Sequence, residues 1–275
     1  CICLIIIRYL LYDTITTFKE LEKSIHVPLI GSIPFYNKQI MLFSQLIVDK
    51  RPKSAVSESF RSIRTNLEFV TPSKNKKVLS VTSTISGEGK TFVAVNLGGV
   101  IAMSNQKVVI LDLDMRKPKV HVAFGTENIK GMSTILIGKN SIQECVQKSS
   151  IANLDFITAG PLPPNPSELI LLKEFDKLIE DLKNLYDVVI MDTPPVGLVT
   201  DGILIMKKAD VPLYVVRINY SKFTVAKEIR KTIVRGDYHN LCVVANAVPI
   251  SDDYGQGYYD NDAPEKGKSW IRKIL

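Results

Sequence analysis

Residues 78–91 read Val-Leu-Ser-Val-Thr-Ser-Thr-Ile-Ser-Gly-Glu-Gly-Lys-Thr, and this segment is the strongest indication of the fold class. Its first part, Val78 to Thr82, is typical of a buried β-strand, whereas the residues from Thr91 to Met103 favour a helix. Glycines between them allow backbone N–H groups to close around an anion, and the N-terminus of the following helix directs partial positive charge at the same place. A strand, a glycine loop with Lys-Thr and a helix therefore predict a phosphate-binding loop rather than a plain strand-to-helix turn.

The side chains of this loop suit a nucleotide triphosphate. Lys90 supplies a full positive charge to the β- and γ-phosphates, and the Thr91 hydroxyl is suited to ligate Mg²⁺. The pattern departs from the usual one at Thr84, because a glycine normally stands six residues before the lysine. We expect nucleotide binding by the loop and the first helical residues: Gly87, Glu88, Gly89, Lys90, Thr91 and Phe92.

Two other apolar runs end in aspartate. Residues 108–116 read Val-Val-Ile-Leu-Asp-Leu-Asp-Met-Arg, and residues 188–195 read Val-Val-Ile-Met-Asp-Thr-Pro-Pro. The carboxyl ends of parallel strands form the ligand crevice of an open α/β sheet, so Asp112, Asp114 and Asp192 converge near the phosphates if the three strands are neighbours. Carboxylates beside a triphosphate repel it unless Mg²⁺ lies between them, which predicts a metal site held by these aspartates and the loop threonine. A lone strand-end aspartate is more commonly a helix N-cap.

Short apolar runs alternate with helical periodicities along much of the chain. The predicted strands are Val78–Thr82, Lys107–Leu111, Leu154–Thr158, Val188–Met191, Leu213–Val216 and Leu241–Ala245. The predicted helices are Ser54–Phe69, Thr91–Met103, 166–184 and 222–235, the third with Asn165 as N-cap, Pro166 in the first turn and Glu168 completing the cap. This alternation predicts an α/β fold of the P-loop NTPase type, with a mostly parallel β-sheet and helices on both faces.

Composition divides the chain into three parts. Residues 1–11 are apolar apart from Arg8 and Tyr9, too few for a membrane span of about 20 residues, yet they look like the cytoplasmic end of one. A buried N-terminal helix or strand is the alternative. We expect the end of a membrane helix and a juxtamembrane segment over 1–50, the nucleotide-binding domain over 51–250, and a flexible tyrosine-containing tail over 251–275.

The net charge limits the classes of binding partner, and the cysteine content indicates the redox compartment. Lys plus Arg is 35 and Asp plus Glu is 28, and the resulting net charge of +7 suits a phosphate ligand, an anionic membrane surface or nucleic acid. No zinc finger, aromatic-basic platform or recognition helix is evident, so nucleic acid is not expected. Four cysteines without a Cys-x-x-Cys pair indicate a reducing compartment.

Taken in order along the chain, the motifs resemble those of the bacterial tyrosine kinases, a P-loop family unrelated to the eukaryotic protein-kinase fold. The phosphate loop resembles their Walker A motif, residues 112–116 their Asp-x-Asp-x-Arg Walker A′ motif, and residues 192–195 their Walker B motif. Residues 27–34 look like the link between the second membrane helix and the kinase in polysaccharide co-polymerases. The family's Glu-x-x-Arg-x-x-Arg helix and its C-terminal tyrosine cluster are matched by Glu58, Arg61 and Arg64 and by Tyr254, Tyr258 and Tyr259.

The resemblance implies an ATP- and Mg²⁺-dependent kinase that phosphorylates its own tail tyrosines and regulates capsule or exopolysaccharide polymerisation and export. It implies a location at the cytoplasmic face of the bacterial inner membrane, contact with the membrane and the export machinery, and a phosphotyrosine phosphatase as a partner. It also implies ring-like self-association through the helix that carries Glu58, Arg61 and Arg64. Without the resemblance, these three residues would be interpreted as an ion pair on a solvated helix face.

Catalytic roles are expected for Lys90, Asp112, Asp114 and Asp192. Asp112 is slightly favoured over Asp114 as acceptor of the tyrosine proton. We expect Arg116 to lie with the cofactor-binding residues and to steady the loop or the incoming chain. Asn246, after the last strand, is expected to reach the adenine edge.

Two alternative functions remain open. One is a partitioning-type ATPase with a deviant Walker motif, although such proteins usually carry a second lysine near the start of the loop and none stands between Val78 and Gly89. The other is a non-catalytic, nucleotide-gated scaffold for polysaccharide export, which would not need the tail tyrosines.

Overall fold

An eight-stranded β-sheet forms the centre of the molecule. The computed structural model describes residues 13–25, 27–36, 46–71, 76–236, 238 and 240–249. Across the sheet the strands lie in the order β1-β8-β7-β2-β6-β3-β5-β4, and every neighbouring pair is parallel except β4 with β5. The predicted, mostly parallel sheet is confirmed, and β2, β6 and β3, which carry the motifs, are neighbours. The strand bounds are β1 (Leu29–Pro34), β2 (Lys77–Ser83), β3 (Val108–Asp112), β4 (Gln147–Lys148), β5 (Leu154–Ile157), β6 (Val188–Asp192), β7 (Val211–Arg217) and β8 (Cys242–Val248).

Helices connect the strands and cover the sheet. Within the described residues they are α1 (Phe18–Ser24), α2 (Ile47–Lys50), α3 (Ala55–Val70), α4 (Lys90–Ala102), α5 (Val120–Phe124), α6 (Met132–Leu136), α7 (Ile142–Cys145), α8 (Pro166–Leu171), α9 (Lys173–Leu185), α10 (Asp201–Met206) and α11 (Thr224–Gly236). The long predicted helices at 54–69, 91–103 and 222–235 correspond to α3, α4 and α11.

Side chains of the strands alternate between two buried faces. On one face, Ile110 and Ile190 pack in a cluster that includes Phe60 of α3 and Val93 of α4. On the other face, residues such as Val189 pack against α6, α8, α9 and α10, while the end of the sheet at β7 and β8 packs against α1 and α11. Both faces are therefore covered, as expected for strands that are largely apolar on both sides.

The predicted helix at 166–184 is wrong as a single element. Leu172 is extended, with φ −65° and ψ 146°, and it separates α8 from α9. The buried stripe of α9 begins at Phe175, and an unbroken helix would place Ile170 roughly 140° away from Phe175 around the axis. The break lets both side chains reach the same core. Asn165 makes no capping hydrogen bond; its amide donates instead to the Glu168 carboxylate at 3.0 Å.

The segment before residue 51 contributes to the same sheet and core. β1 pairs with β8 in parallel, and α2 docks on α4 because the Asn96 Oδ1 atom accepts from the backbone N–H groups of Ile47 and Val48 at 2.7 and 3.2 Å. Sheet and core therefore extend past the boundary predicted at residue 51. Among the described residues, no helix is long and apolar enough to cross a membrane, and the apolar run at 1–11 lies outside them.

Residues near the start of the described part of the chain pair with the connection between β7 and α11. Ile15 N–H donates to the Ser221 carbonyl at 2.9 Å, and Asn219 N–H donates to the Ile15 carbonyl at 2.8 Å. An isolated antiparallel bridge joins Thr14 to Lys222. This pairing fixes the connection that runs past the phosphate loop.

Candidate nucleotide-binding site

The loop between β2 and α4 has the backbone of an anion-binding loop. Gly87 and Gly89 have φ angles of +91° and +102°, a region that side-chain-bearing residues rarely adopt. A Cβ atom on Gly89 would also lie 2.1 Å from the Asn246 Nδ2 atom. Gly89 is the N-cap of α4, so the helix N-terminus and the buried Lys90 side chain, 7% exposed, lie at the same edge of the sheet. The loop thus brings together N–H groups, a helix N-terminus and a lysine.

Thr84, the departure from the usual motif, is accommodated without a left-handed backbone. The non-glycine residues with positive φ in the described part of the chain are Asn105, Asn153, Asn219 and Ala247, so Thr84 is not among them. Its buried hydroxyl makes a 2.8 Å hydrogen bond with the Tyr214 hydroxyl on β7. A glycine is not required here, because the backbone is ordinary and the side chain has a partner.

Glu88 points into the protein rather than toward the phosphate side of the loop. Its side chain is fully buried, and its carboxylate accepts hydrogen bonds from the Ile85 N–H group at 2.8 Å and from the Ser221 hydroxyl. Burial raises the pKa of Glu88, and these hydrogen bonds oppose that rise. The acidic residue of the loop is therefore a structural tie to the β7–α11 connection.

Asp112 and Asp192 stand side by side at the ends of β3 and β6. They are register partners, and both side chains are buried. The Thr91 hydroxyl donates to the Asp192 Oδ2 atom at 2.5 Å, which connects the phosphate loop to this pair. Burial raises the pKa of Asp192 to about 7, although the Thr91 hydrogen bond and nearby Lys90 oppose the rise. The pKa of Asp112 is raised well above its usual range, mainly by burial and secondly by repulsion from Asp192.

Backbone N–H groups in and after the loop that follows β3 donate hydrogen bonds to its aspartates. Asp112 Oδ2 accepts from the backbone N–H groups of Lys119 and Val120 at 3.1 and 3.0 Å, and Asp114 Oδ1 accepts from the Lys117 N–H group at 3.1 Å. Asp114 is half-buried and close enough to raise the pKa of both other aspartates. The three carboxylates therefore lie together, near Lys90.

The donor set fits a magnesium ion that takes most of its ligands from water and phosphate. The described residues contain no group of three or more acidic, histidine or cysteine side chains able to hold a metal by themselves. Two buried carboxylate oxygens, Oδ1 of Asp112 and Oδ1 of Asp192, nevertheless have no hydrogen-bond partner. Buried carboxylate oxygens without partners are costly unless a cation or donor approaches them. Mg²⁺ commonly uses one or two carboxylates and keeps several waters.

Arg116 connects the aspartate loop to two helices. Its Nε atom donates to the buried Asp201 Oδ2 atom at 3.0 Å, and its Nη2 atom donates to the Ser167 hydroxyl at 3.2 Å. Ser167 in turn donates to Asp201. Neither partner was expected from the sequence. The sequence feature that could have indicated Asp201 is its position shortly after the Asp-Thr-Pro-Pro stretch that follows β6.

Other expected site residues are placed as follows. The Phe92 ring packs edge-on against Phe60 with centroids 5.8 Å apart, against the core cluster rather than in the loop. Asn246 is buried behind the phosphate loop, where its Nδ2 atom donates to the Glu88 carbonyl at 2.8 Å. Arg217 and Tyr220, which the sequence did not indicate, also contact the loop, at the carbonyls of Gly87 and Ser86.

The helix with the Glu-x-x-Arg-x-x-Arg pattern is α3. Glu58 and Arg61 form an intrahelical ion pair, and Arg64 Nη1 donates to the Val100 carbonyl of α4 at 3.0 Å. All three side chains are half-buried in the single chain. The expected phosphoacceptors Tyr254, Tyr258 and Tyr259 lie outside the described residues.

Comparisons with known proteins agree with this geometry. A family model described as an AAA domain matches residues 76–237. The tyrosine-protein kinase YwqD of Bacillus subtilis (strain 168) is 35% identical, over 81% of this chain and 94% of its own length. The tyrosine-protein kinase wzc of Salmonella typhi is 36% identical over 81% of this chain, but only 32% of its own length is matched. The crystal structure of the chimerical protein CapA2B2 has a TM-score of 0.77 at 37% identity, covering 85% of this chain and 100% of that one.

The fold and the loop between β2 and α4 define a P-loop nucleotide-binding domain of the α/β class. Within this class, the chain belongs to the bacterial tyrosine-protein kinase family, and the resemblance inferred from the motifs is confirmed. The chain spans nearly the whole Bacillus relative but about a third of the Salmonella one.

Proposed function

We propose that this chain transfers the γ-phosphate of ATP to tyrosine hydroxyls, including those of its own C-terminal tail. The observation that carries the proposal is the hydrogen bond from Thr91 to Asp192, because it joins the phosphate loop to the aspartate pair. Family membership supports the reaction, since the relatives that match most of this chain are named tyrosine-protein kinases.

Positioning and charge account for most of the rate in phosphoryl transfer. The loop N–H groups, the α4 N-terminus and Lys90 bind and orient the phosphates. Thr91 and Asp192, together with Asp112 or Asp114, are the groups that would hold Mg²⁺. When bound, Mg²⁺ neutralises charge on the β- and γ-phosphates. The low exposure of Lys90 and Asp192, 7% and 1%, strengthens these electrostatic interactions by excluding water.

Asp112 is the proposed acceptor of the tyrosine proton. A tyrosine hydroxyl has a pKa of about 10, so it is mostly protonated at neutral pH and benefits from a nearby base. The Oδ2 atom of Asp112 is held by two backbone N–H groups, whereas the buried Oδ1 atom has no hydrogen-bond partner. Asp114 is the alternative base, and it is the more exposed of the two carboxylates.

Self-association, cellular location and partners are inferred from membership of the same family. We infer ring-like self-association through Glu58, Arg61 and Arg64, anchoring at the cytoplasmic face of the inner membrane through the apolar run at 1–11, and a substrate tail at 251–275. Capsule or exopolysaccharide export machinery and a phosphotyrosine phosphatase are the inferred partners. In the self-association hypothesis the half-buried Glu58–Arg61 pair would exchange its intrahelical bond for contacts with a neighbouring copy.

The direct test is incubation of the purified chain with ATP and Mg²⁺, followed by detection of phosphotyrosine. The wild type is expected to become labelled, and a variant with Tyr254, Tyr258 and Tyr259 changed to Phe is expected to lose most of the label. A suitable control is Tyr186→Phe, which removes a tyrosine far from the tail in sequence. Equal labelling of the tail variant and the wild type would contradict the assignment of the acceptors, and ATP turnover without phosphotyrosine would favour an ATPase.

A further inference from the structure

Three consecutive carbonyl groups of the phosphate loop are each bound by a different side chain. The Ser86 carbonyl accepts from the Tyr220 hydroxyl at 2.9 Å, and the Gly87 carbonyl accepts from Arg217 Nη1 at 3.0 Å. The Glu88 carbonyl accepts from Asn246 Nδ2 at 2.8 Å. We call these three donors, Tyr220, Arg217 and Asn246, the brace residues.

The brace determines where the loop N–H groups point. A trans peptide unit is planar and directs its C=O and N–H bonds in opposite directions. Because the three carbonyls face the brace, the N–H groups of Gly87, Glu88 and Gly89 face the opposite side of the loop. Successive N–H groups directed to one side form the concavity that binds an anion.

Without such partners, the same peptides would reorient easily. Gly87 and Gly89 flank Glu88, and glycine accepts both signs of φ, so little steric resistance opposes rotation of the intervening peptide planes. The Glu88 side chain adds a second restraint through Ile85 and Ser221. The loop is therefore ordered by contacts from the ends of β7 and β8.

The brace residues are themselves held in place. Arg217 and Asn246 are register partners on β7 and β8, and the Arg217 guanidinium lies 5.0 Å from the centre of the Tyr220 ring. The backbone N–H group of Arg217 donates to the Ser221 hydroxyl at 2.9 Å, and the backbone N–H group of Ala247 donates to Asn246 Oδ1 at 2.9 Å. These contacts make the brace a prearranged unit rather than three independent surface side chains.

We propose that Tyr220, Arg217 and Asn246 are positioning residues that orient three peptide groups of the loop toward the nucleotide phosphates. The inference rests on the proposed function, because it takes the loop to be the phosphate site. It gives Asn246 a role through the loop backbone, in contrast to the expected contact with the adenine edge. The two roles differ in their dependence on the base of the ligand.

The test compares a ligand that contains a nucleobase with a ligand that contains none. Affinities of this chain for Mg-ADP and for Mg-pyrophosphate are measured for the wild type, Tyr220→Phe, Arg217→Lys and Asn246→Ala. Tyr220→Phe keeps the ring beneath Arg217 and changes no charge, so it isolates the hydroxyl contact. Tyr186→Phe is the matched control, since its hydroxyl donates to Asp155 at 2.8 Å and not to the loop.

We expect Tyr220→Phe and Asn246→Ala to weaken both ligands by the same factor, about fivefold for the loss of one neutral hydrogen bond. Arg217→Lys is expected to weaken both ligands although it keeps the charge, and Tyr186→Phe is expected to weaken neither. Loss of Mg-ADP affinity alone would show a contact with the base and overturn the inference. Unchanged affinities in all brace variants would also overturn it, whereas a wild type that binds neither ligand would overturn the proposed phosphate site as well.

Discussion

The two loops that meet at the nucleotide edge are held in different ways. The loop after β3 is restrained largely by its own backbone, because Asp112 and Asp114 accept hydrogen bonds from residues three to eight positions further on. The loop after β2 is restrained from outside, by side chains that lie 130 or more positions away in the sequence. A short motif can contain the first kind of restraint, but it cannot contain the second.

Lys90→Met should have the largest effect, because it removes the full charge from the phosphate loop without touching either set of restraints. We expect phosphotyrosine formation to fall by roughly 10²-fold or more, the scale seen when one preorganised electrostatic group is deleted. Phosphotyrosine and ADP release are to be measured together. The control is Lys139→Met, an exposed lysine, and activity of Lys90→Met within a few-fold of this control would contradict the assigned site.

Asp112→Asn should separate activity from stability in the β3 loop. The amide keeps an oxygen to accept from Lys119 and Val120, but it removes the base and the repulsion with Asp192. We expect a loss of activity of about 10²-fold and a free energy of unfolding that is unchanged or higher by about 1 kcal/mol. Thermal unfolding and phosphotyrosine formation test both parts. A larger loss in Asp114→Asn than in Asp112→Asn would move the role of base to Asp114.

The aspartate pair should also make the stability of the metal-free protein depend on pH. The pKa of Asp192 is about 7 in the folded chain and about 3.9 when unfolded, so the folded state holds the proton more tightly. This stabilisation is fully present below pH about 4 and is lost as the pH rises through about 7. In EDTA, we expect the wild type to lose on the order of 2 kcal/mol more stability than Asp192→Asn between pH 5 and pH 8. Urea unfolding at both pH values measures the difference, and parallel curves for the two proteins would refute it.

Asp201→Asn should have the smallest effect of the four, because it weakens one of several contacts that the β3 loop makes with other parts of the chain. Arg116 keeps its Ser167 contact but loses a charged partner that is 2% exposed. We expect activity to fall by about threefold to tenfold, in line with one charge-assisted hydrogen bond. Steady-state kinetics with Mg-ATP provide the measurement. A loss as large as that of Asp112→Asn would mean that this loop, too, depends on distant restraints.

The parts of the fold that could be predicted are those decided by local pattern. The runs at 78–82, 108–112 and 188–192 are mostly apolar, and the structure buries all three of them in the sheet. The register that places Asp112 opposite Asp192 follows once β3 and β6 are neighbours. Family membership was also accessible, because the motifs that define it are contiguous.

The parts that could not be predicted depend on tertiary neighbours. Residues 27–34 were interpreted as a link to a membrane helix and not as a strand, because the pairing of β1 with β8 joins residues more than 200 positions apart. The break at Leu172 follows from the direction of the core, which the helical period alone does not specify. Tyr220 and Arg217 belong to no motif, and only the placement of β7 beside β2 brings their side chains to the phosphate loop.

The most direct test of the account is to count phosphotyrosine formed against ADP released by the same sample of the chain. With Mg²⁺, we expect the phosphotyrosine yield to match ADP release in the first turnovers, and both to vanish in EDTA. Steady ADP release without phosphotyrosine would contradict the assignment of a tyrosine kinase and leave an ATPase in its place.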